Sequence, residues 1–278
     1  MKKIIISIMF LFVGLLPIWV QAQTEWMTHY WDEVDFSDTA LVNNQEFADK
    51  LVHYLYAFTQ ADENDFDSLT ISGLDIVLDK AKANMRVYEY VLEFALNGYT
   101  GMGRSVVTDH LLNYPQLAEG EITMEEGLRL DSITEPYQKV RVGAKAPDCF
   151  GVAIDGKPFH LYESKAKNTI IVFWSTDCEY CHDFLKQIRK NLDLKSGFEL
   201  VTFALAENQE EVEAAVKKMR LFGYHFYDPE RWEGKAFLDY HITTTPTVFL
   251  LDSEKTIVCK PYDWEELKYW LKLNNISY

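Results

Sequence analysis

Along the first half of the chain, apolar residues recur at helical spacing. Phe47, Leu51, Tyr54, Leu55 and Phe58 are spaced three or four apart or adjacent, which predicts an amphipathic helix with one buried face. An acidic stretch from Asp62 to Asp67 interrupts the pattern. Ser72-Gly73-Leu74-Asp75 then predicts a new helix start, with Ser72 and Asp75 satisfying each other's free amides and Leu74, Val77, Leu78 and Ala81 facing inward. Val87, Tyr88, Val91, Leu92 and Ala95 predict a further helix, stopped at Asn97-Gly98, and residues 98–103 read as a flexible link. A shorter helix reaches about Asn113 and is ended by Pro115. Thr123-Met124-Glu125-Glu126 opens another, up to about Ile133. Ahead of them all, residues 25–36 are aromatic and irregular (Trp26, Tyr30, Trp31, Phe36), and packing against the first helix is the expectation.

After a link at residues 136–147 the period changes. Residues 150–154 and 159–162, around Asp155-Gly156, predict a β-hairpin whose turn needs positive φ. Thr169 to Trp174 is a continuous β-branched and aromatic run, the mark of a strand buried on both faces. The helix after it carries Phe184, Leu185, Ile188 and Leu192 on one face. Phe198 to Leu205 predicts a second buried strand, and Val212, Ala215, Val216 and Met219 a second helix. A loop from Asp228-Pro229 leads to a short helix near Ala236 to Tyr240, then strands at Thr247 to Leu251 and Thr256 to Cys259. Asp263, with Glu266 three residues on, caps a last helix bearing Trp264, Leu267, Trp270 and Leu271. Strands interleaved with helices predict an α/β sandwich with a mixed sheet, preceded by a separate all-α domain.

The first 22 residues stand outside both patterns. Lys2 and Lys3 precede an uncharged apolar run from Ile4 to Val20, and Val20-Gln21-Ala22 offers a small-residue cleavage site. This reads as a secretory signal peptide over residues 1–22, with a membrane anchor as the rival reading. The expected organisation is signal 1–22, helical domain 23–139 and α/β domain 140–278, in a secreted or periplasmic protein with no stable membrane insertion after cleavage. Net charge is −16, concentrated in the helical part: 7 basic residues stand against 22 acidic ones between Thr24 and Lys139, and 18 against 21 beyond. So acidic a surface argues against nucleic acid or anionic membrane as partner. The helical part has no cysteine, and His29, His53 and His110 lack ligand-like spacing.

The chemistry lies where the buried strand meets its helix. Phe173-Trp174-Ser175-Thr176-Asp177-Cys178-Glu179-Tyr180-Cys181 puts a Cys-x-x-Cys pair at a helix N-terminus, where free amides and the dipole stabilise thiolate. This segment resembles the active site of the thioredoxin superfamily, and Thr244-Thr245-Pro246-Thr247-Val248-Phe249-Leu250 is similar to the family's cis-proline strand. Val142-Gly143-Ala144-Lys145-Ala146-Pro147-Asp148 and the hairpin resemble the lead-in of secreted TlpA/ResA-type reductases; the likeness covers about residues 140–278. The resemblance implies a thioredoxin-like three-layer sandwich and thiol–disulfide exchange with protein thiols and disulfides, requiring no cofactor and no metal, alongside a redox partner that it does not name. It implies Cys178 as the attacking thiolate and Cys181 as the resolving thiol. Thr245 and Pro246 would pair with an extended substrate, and Trp174 would pack beneath the site.

The chain departs from that family in three places. Val172 occupies the position of a buried carboxylate six residues before the first cysteine. Phe184 occupies that of a glutamate three residues after the second, and the usual later helix proline is missing. His182 could take up the proton of Cys181. Asp177 and Glu179 flank the nucleophile; negative charge there raises a thiol pKa and favours the disulfide, so a reducing poise is expected. Cys149 and Cys259 read as two separate buried thiols rather than a bridge. Two other readings use the same residues. Cys178-Glu179-Tyr180-Cys181-His182 matches the c-type haem attachment pattern, though its place at a strand-to-helix junction offers no open apolar pocket. A copper-handling role is chemically open to the two thiols, and a docking or assembly role is open to the acidic helical part.

Overall fold

The computed structural model describes residues 25–60, 63–113, 122–192 and 197–276; the expected signal peptide and Pro115 lie outside them. The first half is helical. Helices α1 (Gln45–Phe58), α2 (Glu63–Ala81), α3 (Met85–Gly101), α4 (Ser105–Leu112) and α5 (Met124–Gln138) bury their apolar stripes in one cluster. Residues 25–29 are helical rather than irregular, and the aromatic segment packs as expected: Trp31 is buried, with its ring 4.8 Å from that of Tyr54.

Three boundaries differ from the sequence reading, each for a physical reason. From residue 63 on, the acidic stretch is the opening of α2 rather than a break, since carboxylates suit the positive end of a helix. Ser72 therefore lies inside α2, with its hydroxyl donating back to the Ser68 carbonyl at 2.9 Å, and is no cap. Gly73 is needed there because a Cβ would overlap the Phe58 ring. Helix α3 runs past Asn97-Gly98 to Gly101. It closes at Gly103 (φ 69°), with Arg104 N–H donating to the Tyr99 carbonyl and Gly103 N–H to that of Thr100, the double bond pattern of a glycine-terminated helix. Helix α5 opens at Thr123 as expected, through a Thr123–Glu126 capping box, but continues through Pro136. Its last turn is anchored by Tyr137, whose hydroxyl donates to Asn97 Oδ1 at 2.8 Å.

The second half is a three-layer sandwich. After the hairpin β1 (Phe150–Val152) and β2 (Pro158–His160) come β3 (Asn168–Ser175), α6 (Glu179–Asn191), β4 (Phe198–Leu205) and α7 (Gln209–Met219). Then follow β5 (Tyr224–Tyr227), α8 (Lys235–Asp239), β6 (Thr247–Leu251), β7 (Ile257–Cys259) and α9 (Trp264–Leu273). The sheet order is β5-β4-β3-β6-β7, with β3, β4 and β5 parallel and β6 and β7 antiparallel. Strand β5 had no counterpart in the sequence reading: four residues at a sheet edge, one of them His225, make too short and too polar a pattern.

Side-chain alternation along β3 assigns each residue to a layer. Ile170, Val172 and Trp174 enter the cluster formed with α6, α7 and α9, and Ile171 and Phe173 enter the one formed with the hairpin and α8. Cys149 belongs to the second cluster and Cys259 to the first, so the sheet separates them and both remain free buried thiols. Burial pushes the Cys149 thiol up to about 12 and that of Cys259 higher still, which suits packing rather than attack.

Candidate active site

Strand β3 ends at Ser175, in the middle of the sheet, and the chain turns through Thr176 and Asp177 into α6. Thr176 N–H donates to the Leu205 carbonyl and Cys178 N–H to that of Ser175, which fixes the turn to both strands. Cys178 is the N-cap of α6: its sulfur accepts the Cys181 N–H at 3.1 Å. The two cysteines form a disulfide with Cα atoms 5.2 Å apart. Cys178 is partly exposed, whereas Cys181, one turn in, is fully buried with Trp174, Val172 and Phe184 around it in one apolar cluster. The Thr245–Pro246 peptide is cis, and the Thr245 carbonyl oxygen lies 3.9 Å from the Cys178 sulfur. The structure thus brings together four of the residues singled out in the sequence, Cys178, Cys181, Thr245 and Pro246, with Trp174 beneath them.

The remaining three lie around this centre. Asp177 is exposed and accepts from the hydroxyls of Thr176 at 3.1 Å and Ser175 at 3.4 Å. Glu179 is exposed in the first turn of α6, at the positive end of the dipole. His182 is half-buried. Its ring lies 5.9 Å from that of Trp174, and both His182 Nε2 and Trp174 Nε1 are buried without a hydrogen-bond partner. Asp177 and His182 line a cavity of about 650 Å³ between α6 and α7. Val172 and Phe184 are both buried in the apolar cluster around Cys181, so neither position supplies a proton acceptor. Among the described residues, no group of three or more His, Cys, Asp or Glu side chains is arranged to hold a metal ion, and no helix is long and apolar enough to cross a membrane.

Sequence reasoning missed what faces the cis-proline from the other half of the molecule. The turn joining α3 to α4 lies against the β7–α9 loop, where the Arg104 guanidinium sits 5.4 Å from the Tyr262 ring centre. Nearby, the Tyr137 and His241 rings meet edge to face at 4.4 Å. Between the halves, burial pulls the Lys260 amine down to about 8 against the opposing pull of Asp109. Residues 98–103 carry only small, polar and single apolar side chains, and nothing in their pattern signals a contact so distant in sequence.

A central strand ending in a helix-capping Cys-x-x-Cys, opposed by a cis-proline strand, defines a protein of dithiol–disulfide exchange on a thioredoxin-like fold. Comparison with known proteins agrees. A family described as thioredoxin-like matches residues 166–257. Sporulation thiol-disulfide oxidoreductase A of Bacillus subtilis is 34% identical over 126 residues, covering 42% of this chain and 73% of that protein. Thiol-disulfide oxidoreductase ResA of Geobacillus thermodenitrificans is 25% identical over 138 residues, covering 48% of this chain and 78% of its own length. The crystal structure of a thioredoxin-like protein from Bacteroides caccae aligns over 98% of both chains with a TM-score of 0.60 at 19% identity, so the likeness of fold takes in the helical half. The chain belongs to the TlpA/ResA-like thiol-disulfide oxidoreductases of the thioredoxin superfamily.

Proposed function

We propose that this oxidoreductase is exported, through cleavage of residues 1–22, and works as a reductant of protein disulfides, with residues 23–139 and 140–278 as its two domains. The supporting observation is the Cys178 sulfur at the cap of α6, half-exposed beside the Thr245 carbonyl and cis-Pro246, with Cys181 sealed behind it. In the reduced enzyme the Cys178 thiolate attacks one sulfur of a substrate disulfide. The substrate's other sulfur leaves as a thiolate and takes up a proton, and a mixed disulfide remains. Cys181 then loses its proton and attacks the Cys178 sulfur, releasing the second substrate thiolate. Two electrons have passed to the substrate, and the enzyme holds the Cys178–Cys181 disulfide. An external dithiol donor returns two electrons and one proton, its other proton passing to solvent, which restores the Cys178 thiolate and the Cys181 thiol and closes the cycle.

Each neighbour has a part in this scheme. Thr245 and Pro246 offer backbone to an extended substrate segment, and Trp174 holds the floor of the site. His182, with its buried unpartnered Nε2, takes the proton of Cys181 in place of the missing carboxylates. Asp177 and Glu179 oppose the helix dipole and keep Cys178 from becoming too stable a thiolate. The test is the reduction potential of the pair, by equilibration with glutathione buffers. A value near or below about −200 mV, toward that of thioredoxin, is expected, and one near about −120 mV, that of a strong oxidant, would refute the assigned direction.

A further inference from the structure

Beside the cis-proline lies a groove of about 470 Å³ whose walls come from both halves of the chain. On one side stand Tyr180 and Pro246, next to the disulfide; on the other are Tyr262 and Trp264; the helical half closes it with Met102 and Gly103. Three of these side chains are unusually exposed for apolar groups, Tyr180 at 84%, Met102 at 47% and Tyr262 at 41%. They converge on one opening although they come from three separate stretches of chain. The helical wall is held in place: Gly103 approaches so closely that a Cβ on it would lie 2.7 Å from Tyr262 Cβ, and Arg104 is stacked between Phe66, at 4.4 Å, and Tyr262.

We infer that the helical half supplies one wall of the substrate site, and that the groove takes the apolar residues flanking the cysteine of an extended protein segment whose disulfide is being exchanged. The occupant is set by continuity with the dithiol. A segment lying along Thr245 and Pro246 with its sulfur at Cys178 has its neighbouring side chains over this groove. Apolar side chains gain from burial there, and polar ones do not. Met102 suits such a task, because an unbranched thioether adapts to side chains of different shape and favours a class of partner over one sequence. The acidic helical half, which holds no cysteine, thereby becomes a selectivity element of the redox site.

This inference rests on the exchange reading of Cys178–Cys181, and the experiment separates the two. The full-length chain, pre-reduced with dithiothreitol and freed of it, is mixed in single turnover with two peptide–glutathione mixed disulfides. One peptide has leucine and the other serine on both sides of its cysteine; oxidised glutathione serves as the small disulfide. The wild-type chain is expected to favour the leucine peptide on the order of tenfold in kcat/KM, as for a modest apolar contact. Met102→Glu and the milder Met102→Ala are each expected to reduce that ratio severalfold. Val52→Glu, on an exposed position of α1 away from the groove, is expected to preserve it. Equal rates on the two peptides, or a preference that survives both Met102 substitutions, would overturn the groove while exchange with oxidised glutathione continued. A wild-type chain inert toward oxidised glutathione as well would overturn the exchange reading beneath it.

Discussion

Helix α3 contains Gly98 and Gly101, and Gly103 follows it, yet only Gly103 has positive φ. Replacing each of the first and last by alanine therefore has opposite consequences. At Gly98 a Cβ meets nothing within 4 Å, and the backbone is helical, so Gly98→Ala stabilises by about 0.5–1 kcal/mol through the lost freedom of the unfolded chain. At Gly103 (φ 69°) an alanine is forced into the left-handed region, at a cost of roughly 1–2 kcal/mol. Its Cβ would also stand 2.7 Å from Tyr262 Cβ, about 1 Å inside ordinary contact, and the repacking of the α3–α4 turn against the β7–α9 loop adds about 1–2 kcal/mol. Gly103→Ala should lower stability by about 2–4 kcal/mol in all. Urea unfolding followed by tryptophan fluorescence reads both variants, and limited proteolysis reads whether the two halves part. A Gly103→Ala chain within about 0.5 kcal/mol of wild type would refute the account of the interface, and destabilisation by Gly98→Ala would refute that of the helix.

Three further outcomes are open to direct measurement. Cys181→Ser should accumulate a mixed disulfide through Cys178 with protein substrates, visible by mass spectrometry and lost in the Cys178→Ser, Cys181→Ser double variant; its absence would reverse the roles assigned to the two sulfurs. His225 is buried on β5, 2.9 Å from the Thr202 hydroxyl, and burial pulls its pKa down to about 4 from 6.5. Above about pH 6.5 the imidazole is neutral folded or unfolded; as pH falls toward 4 only the unfolded chain takes up the proton, so stability drops by about 3 kcal/mol across that window, and His225→Gln should flatten this part of the pH–stability curve. Glu89, almost fully buried in α3, accepts from Arg86 at 3.0 Å and from Arg129 of α5 at 2.8 Å. Glu89→Ala leaves Arg129 without that partner and should cost about 2–4 kcal/mol in thermal or urea unfolding, where a loss under about 1 kcal/mol would show the ion pairs to be dispensable.

What could be read from the sequence was what depends on neighbours in the chain. The β3 run, the Cys178–Cys181 spacing, the helix start at Thr123 and the Asp155-Gly156 turn each state their structure within a few residues, and the structure has all four. The helix ends in the first half were misplaced where tertiary contacts decide. Three glycines compete to close α3, and the selection of Gly103 depends on Tyr262, far along the chain. Gly73 resembles a helix boundary until the Phe58 ring is seen lying over it. Pro136 is a stop signal overridden by the anchoring of Tyr137. The site divides in the same way: the dithiol and the cis-proline carry recognisable local motifs, whereas the opposing wall at Met102 and Gly103 carries none.

The assignment of a reducing direction comes down to how much each surrounding group stabilises a thiolate. The cap bond from Cys181 N–H and the dipole of α6 favour the Cys178 thiolate, and with it the dithiol state. At the positive end of a helix such an effect amounts to roughly 0.3–1 kcal/mol, which for a two-electron couple is about 6–20 mV. Glu179, in the first turn of the same helix, is a charge of the sign that opposes it, and the adjacent Asp177 adds to that opposition. Behind them, Cys181 is packed among Trp174, Val172 and Phe184, a hydrocarbon setting that withholds stabilisation from a second thiolate. A strong oxidant needs a dithiol state stabilised by several kcal/mol, and a helix end contributing about 1 kcal/mol at most, opposed by two carboxylates, falls short of that. On the proposed reading the disulfide is then the more stable partner, and the reduced enzyme gives its electrons up readily to a substrate disulfide.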